Sequence, residues 1–148
     1  MNVQRSALLP YSASQIYQVI SDVRSYPEFL NWCEAASIES EREGLQIATL
    51  QVSYGKLKLS FSTQNTMVID QSIDMQLSSG PFKALKGQWL ITALDDSACK
   101  VFLEMDFRFS NPITHKLFGK VFQSVVSAQI DAFEKRAHTI FGLSLIHI

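Results

Sequence analysis

Through the last third of the chain, apolar residues recur at three- and four-residue steps: Ile113, Leu117, Phe118, Val121, Phe122, Val125, Val126, Ile130, Phe133, Ala137 and Ile140. That spacing marks one face of a 3.6-residue helix, a face that must be buried against something. Asn111 is a good N-cap, Pro112 suits the first helical position, and Gly142 stands where a left-handed C-terminal cap is expected. The pattern predicts one helix over residues 112–141, about 45 Å long at 1.5 Å per residue.

Upstream the period changes to two. Cys99, Val101, Leu103, Met105, Phe107 and Phe109 alternate with Lys100, Glu104, Asp106 and Arg108, interrupted only by Phe102. Leu57, Leu59 and Phe61 alternate with Lys58 and Ser60, and Ile73, Met75 and Leu77 with Asp74 and Gln76. Strands of this kind have one dry face and one wet face, as in an antiparallel sheet packed on one side. Turn signals at Glu43-Gly44, Tyr54-Gly55-Lys56, Asp70-Gln71, Gly80-Pro81 and Asp95-Asp96 divide residues 37–109 at hairpin spacing. Residues 3–9 read as a first strand. Ser12 with Gln15 forms a capping box, and Tyr11 with Ile16 a hydrophobic staple. The short helix they open carries Ile16, Tyr17, Val19, Ile20 and Val23 inward and stops before Pro27. The expected fold class is therefore α+β: a curved antiparallel sheet wrapped around a long C-terminal helix, a shape that tends to leave a cavity. At 148 residues, a single domain over 1–148 can bury such a core without disulfides or metals.

Composition narrows the function classes. Ten Phe, two Trp and four Tyr make the interior aromatic. Thirteen basic against fourteen acidic residues give no overall field for a polyanion, so direct DNA binding is not expected. Cys33 and Cys99 belong to no Cys-His cluster and read as two buried thiols in a reducing compartment, with no disulfide and no metal. Residues 1–5 lack the plan of a signal peptide, and no run approaches the ~18 apolar residues of a membrane span. A cytoplasmic protein is expected, with transient contact at the inner membrane as an option. The run 143–148 is apolar, and docking on the sheet and contact with a partner both fit it.

Catalytic signatures are missing from the pattern. His115, His138 and His147 stand alone, Glu104 and Asp106 share the wet side of their strand, and no glycine-rich phosphate loop occurs. The chain reads as a non-enzyme. Lys116, Lys120, Lys135 and Arg136 on the long helix, with Lys83 and Lys86 in a turn, read as solvated charge rather than as a nucleic-acid patch. Tyr26, Pro27, Phe29, Leu30 and Trp32 crowd into seven positions, and that much apolar surface is either buried over the open edge of the sheet or offered to a ligand.

Ser25-Tyr26-Pro27-Glu28-Phe29-Leu30-Asn31-Trp32-Cys33 resembles the Tyr-Pro-x-Phe-Leu-Pro-Trp-Cys signature of the coenzyme Q-binding branch of the START-like, polyketide cyclase-related superfamily. Asn31 departs from the signature's Pro. Gly80-Pro81-Phe82-Lys83-x-Leu85-x-Gly87-x-Trp89 is similar to a second segment of that family. Phe107-x-Phe109-x-Asn111 and Ala132-Phe133-x-x-Arg136-Ala137 resemble further ones. The matches span residues 3–142 in order, and the opening Leu9-Pro10-Tyr11-Ser12-Ala13 is similar to the bacterial branch described as a ribosome association toxin. The resemblance implies a helix-grip fold and a non-catalytic carrier of a hydrophobic small molecule, ubiquinone or a related prenyl lipid, in support of respiratory quinone function. It implies no cofactor besides that ligand. The alternative it carries is a toxin-like protein that blocks association of ribosomal subunits, with the large subunit as partner. On the carrier reading, Tyr26, Phe29, Leu30 and Trp32 form a gate. The walls are Leu59, Phe61, Met75, Leu77, Phe82, Trp89, Leu103, Met105 and Phe107 from the strands and Phe118, Phe122, Val125 and Phe133 from the helix. For Phe82 and Trp89 a plain core role is the simpler reading.

Overall fold

Seven strands form one antiparallel sheet in the order β1-β7-β6-β5-β4-β3-β2. The computed structural model describes residues 1–142, so the run 143–148 with its His147 lies outside the described residues. The strands are β1 (Asn2–Leu9), β2 (Cys33–Arg42), β3 (Leu45–Tyr54), β4 (Leu57–Val68), β5 (Ser72–Ser79), β6 (Phe82–Asp95) and β7 (Ala98–Phe109). Each strand from β2 to β7 pairs with the next, and they break at the five turns expected from sequence. β1 returns to pair with β7, from Asn2 opposite Asp106 to Leu9 opposite Cys99. The Met1 amino group fastens that edge by donating to the Phe107 carbonyl at 2.7 Å.

The alternation lands as expected: Cys99, Val101, Leu103, Phe107 and Phe109 of β7 are buried, and Lys100, Asp106 and Arg108 are exposed. One inward row crosses the sheet through Gln46, Asn65, Met75, Gly87, Met105 and Val3. At Gly87 a Cβ would lie 2.6 Å from the Met105 sulfur and 2.9 Å from the Met75 methyl. Two flexible thioether chains thus converge over a position without a side chain.

Helix α1 (Ala13–Ser21) begins at the capping box: Gln15 N donates to Ser12 Oγ at 3.1 Å, and Ser12 N donates to Gln15 Oε1 at 3.0 Å. Its Ile16, Val19 and Ile20 are buried and plug one end of the sheet. A 3-10 turn, Val23–Glu28, follows and contains Pro27. Tyr26 is buried there, and its hydroxyl donates to the Ile20 carbonyl.

The single helix expected over 112–141 is broken. Helix α2 (Pro112–Ser127) and helix α3 (Gln129–Ala137) meet at Ala128, and a π turn, His138–Gly142, closes the segment. At the break Gln129 is buried, and its Nε2 donates to the Val125 carbonyl at 2.9 Å, four residues back, where an unbroken helix places a backbone bond. The Ala128 N–H keeps its ordinary acceptor, the Ser124 carbonyl at 3.1 Å, and shares itself with the Val125 carbonyl at 3.2 Å, in the tightened geometry of a helix end. Gly142 is not in the left-handed region. It sits in the π turn because a Cβ there would strike the His138 ring at 2.5 Å. The apolar stripe is also only partly covered: Ile113 and Leu117 near the start are 70% and 53% exposed, and Ile140 is exposed at the far end. The sheet covers only the middle of the run.

Candidate functional site

Two aromatic clusters divide the interior. At the end where β6 begins and β7 runs into α2, Phe82 stacks on Phe109 at 4.5 Å, and Phe122 meets Phe107 at 4.7 Å, Phe82 at 5.3 Å and Phe61 at 6.0 Å. At the other end Phe133 lies 5.4 Å from Tyr26, 5.5 Å from Trp89 and 5.6 Å from Phe29. Between them, above the Met75–Gly87–Met105 row, is an apolar cavity of about 90 Å³.

Of the residues expected at a ligand site, Tyr26, Trp32, Phe61, Met75, Trp89, Leu103, Met105, Phe122, Val125 and Phe133 border this cavity. Leu59, Phe82, Phe107 and Phe118 do not; they fill the core, the last three around Phe109. Leu77 is half-buried near the sheet margin, beside Lys83 and Arg108. Phe29 and Leu30 do not border the cavity and line an outer groove instead, Leu30 itself buried. Leu50, Thr63, Leu85, Val126 and Gln129 also line the cavity, and sequence reading missed them. The alternation through Leu59 and Phe61 points at Thr63, and the stripe through Val125 and Val126 points at Gln129. Both were passed over because they are polar.

Those two polar residues give the cavity its orienting groups. Thr63 Oγ1 donates to Asn65 Oδ1 at 2.8 Å, and Asn65 Nδ2 donates to Gln46 Oε1 at 3.0 Å, a buried relay leading away from the cavity wall. Gln129 borders the cavity from the opposite side, with its Nε2 held by the Val125 carbonyl.

The outer groove, about 640 Å³, runs between residues 28–32 and α3. Trp32 and Gln129 border both spaces and are therefore the partition between them. Arg136 spans the groove's lip: its guanidinium lies 4.9 Å from the Phe29 ring centroid and donates to Glu28 Oε1 at 3.3 Å. Burial pushes the Tyr26 hydroxyl well above its ordinary range, with Cys33 and Asp22 adding to the rise. Burial also pushes the Cys33 thiol up to about 11, with the Ala35 backbone opposing, and raises the Cys99 thiol. These groups stay neutral at physiological pH.

As it stands, the cavity holds less than the ~150 Å³ apolar space that admits benzene. The cavity expected between sheet and helix is present as a void of about 90 Å³, kept small because the Phe82 cluster fills the other half of the interior. His115 packs against Phe109 and His138 contacts the Tyr11 hydroxyl at 3.3 Å, both away from the cavity. Glu104, on the outer face, accepts from the Asn2 and Gln4 side chains.

The family described as polyketide cyclase / dehydrase and lipid transport matches residues 9–134. The chain belongs to that family. A ribosome association toxin, RatA of Pseudomonas aeruginosa, is 40% identical over 141 residues, which cover 95% of this chain and 98% of the relative. More distantly, the mitochondrial coenzyme Q-binding protein COQ10 homolog B of Xenopus laevis is 24% identical over 141 residues, covering 93% of this chain and 58% of the relative. A Thermus thermophilus protein of known structure superposes with a TM-score of 0.82 at 14% identity, covering 95% of this chain and 99% of that one, a likeness of fold. The helix-grip architecture of the family is thus the architecture of this chain.

Proposed function

We propose that the chain is a ribosome-associating protein of the toxin type, which binds a ribosomal subunit and hinders its pairing with the other. The observation that carries this reading is the 40% identity to the Pseudomonas aeruginosa ribosome association toxin, nearly end to end in both chains. It displaces the quinone carrier as the leading interpretation, for which the support is a 24% relative and a cavity of about 90 Å³. We read the protein as acting by binding, without turnover, although the family includes cyclases and dehydrases. The test is sedimentation of ribosomes in a sucrose gradient at limiting magnesium. Added protein should raise the free-subunit peaks at the expense of associated ribosomes and migrate with one subunit. Unchanged profiles at a severalfold excess of protein would refute the reading.

A second reading has its own support: the apolar void has two polar side chains, Thr63 and Gln129, among its apolar and aromatic walls, and adjoins a groove across a two-residue partition. On this reading a hydrophobic small molecule enters past Trp32 and Gln129, with its polar end left in the groove near Arg136. Such a ligand site is compatible with a ribosome-binding exterior.

A further inference from the structure

Resting on the ribosome-associating reading, we propose that the exposed face of α2 is the surface that grips ribosomal RNA, through a stripe of Lys116, Lys120 and Gln123 continued by Arg5.

The stripe follows from helix geometry. Residues 116, 120, 123 and 127 fall at steps of four, three and four, within about 60° of one another on a 3.6-residue helix. At the last of these positions, Ser127 Oγ accepts from Arg5 Nη2 at 3.1 Å, which brings a guanidinium from β1 onto the same line. Lys116, Lys120, Gln123 and Arg5 are all exposed. From 116 to 127 the stripe extends about 16 Å, over which a duplex strand, advancing about 3.4 Å per nucleotide, carries several phosphates.

Charge complementarity selects the occupant. Residues 107–130 contain no Asp or Glu, whereas the chain as a whole has one more acid than base. Neither lysine nor Arg5 has a carboxylate within ion-pair distance among the described residues, in contrast to Arg24, Lys58 and Arg136. The first turn of α2 carries no acid, so the positive end of the helix dipole adds to the same field. Ile113 and Leu117 stand beside the stripe at 70% and 53% exposure, apolar surface suited to an unstacked base. Arg136 does not belong to this face: it is committed to Glu28 and Phe29 beyond the helix break.

The experiment compares wild type, K116Q/K120Q and the control K56Q/K100Q for co-sedimentation with purified ribosomal subunits between 50 and 200 mM KCl. Far-UV melting verifies that all three fold alike. Each phosphate contact contributes roughly −0.7 to −0.9 to the slope of log K against log salt. The double variant should therefore lose about 1.5 from the slope and at least tenfold in affinity at 150 mM, while the control matches wild type. If wild type binds and K116Q/K120Q binds equally well with the same slope, the surface is wrong and the ribosome-associating reading stands. If wild type itself does not sediment with subunits, that reading falls and the surface with it. A parallel arm uses vesicles of phosphatidylcholine and phosphatidylglycerol. Loss of vesicle binding without loss of ribosome binding would assign the stripe to a membrane and overturn the proposal.

Discussion

Phe133→Ala tests whether the cavity is held between packed rings. Phe133 is 2% exposed, and its ring meets Tyr26, Phe29 and Trp89 within 5.4–5.6 Å. Truncating a buried Phe costs about 3–5 kcal/mol, and three ring contacts put this site toward the upper end. Alanine's better helix propensity returns about 0.5 kcal/mol, leaving a net loss of about 4 kcal/mol. At about 2–4 °C per kcal/mol for a chain of this size, the melting temperature should fall by about 8–16 °C. The void then gains the space of a phenyl ring and passes the ~150 Å³ that accepts benzene. Benzene at a hundredfold excess over its Kd should return about 2.7 kcal/mol to the variant, and little to wild type with its void of about 90 Å³. Calorimetric melts of both proteins with and without benzene check this. A loss under about 2 kcal/mol, or equal stabilisation of wild type by benzene, would refute the packing.

Two glycines should respond unequally to alanine in denaturant titrations. Gly80→Ala, at φ +138° with its Cβ 2.6 Å from Phe61 Cβ, should lose about 2 kcal/mol or more, whereas Gly87→Ala displaces only thioether tips and should lose about 1 kcal/mol or less. The two cysteines should resist iodoacetamide at pH 8 in the folded protein and react when it is unfolded, because burial raises both thiols. Since the Cys33 thiol is raised from 9.0 to about 11, the unfolded chain releases its proton first. Stability from this group is complete below pH 9 and declines as pH rises toward 11. Rapid labelling of native protein at pH 8, or a flat stability profile over pH 9–11 that Cys33→Ala leaves unchanged, would contradict this.

The sheet was legible because its signals are local: period-two alternation fixes the dry face, and five Gly- or Asp-bearing turns fix the breaks. The capping box was legible for the same reason. The long helix misled because periodicity records which residues can be buried, not whether a surface reaches them. Ile113, Leu117 and Ile140 fit the stripe and lie beyond the sheet's cover. The break at Ala128 coincides with the Gln129 side chain donating to the Val125 carbonyl, a feature that leaves no trace in apolar spacing. Wall residues were hard to separate from core for a related reason. Phe82 and Phe107 alternate just as Trp89 and Leu103 do, and only the stacking of Phe82 on Phe109 decides that their end of the interior is filled.

That same break divides the helical segment by task. Before Ala128, α2 contributes Phe118 and Phe122 to the filled end and turns an acid-free face outward. After it, α3 carries Asp131 and Glu134 among its polar residues and closes the groove against residues 28–32 through Arg136. Gln129 stands at the junction: it ends α2's hydrogen-bond ladder, borders the cavity and borders the groove. A ligand that displaced Gln129 would release the Val125 carbonyl at the junction of α2 and α3, where cavity, groove and helix ladder meet. If cavity and exterior face are coupled, this junction is the shortest route between them. The coupling must then be reciprocal, with ribosome binding changing ligand affinity by the same factor that ligand changes ribosome binding. Gln129→Leu removes the side-chain amide while keeping an apolar wall, and should abolish that reciprocity without abolishing either binding event.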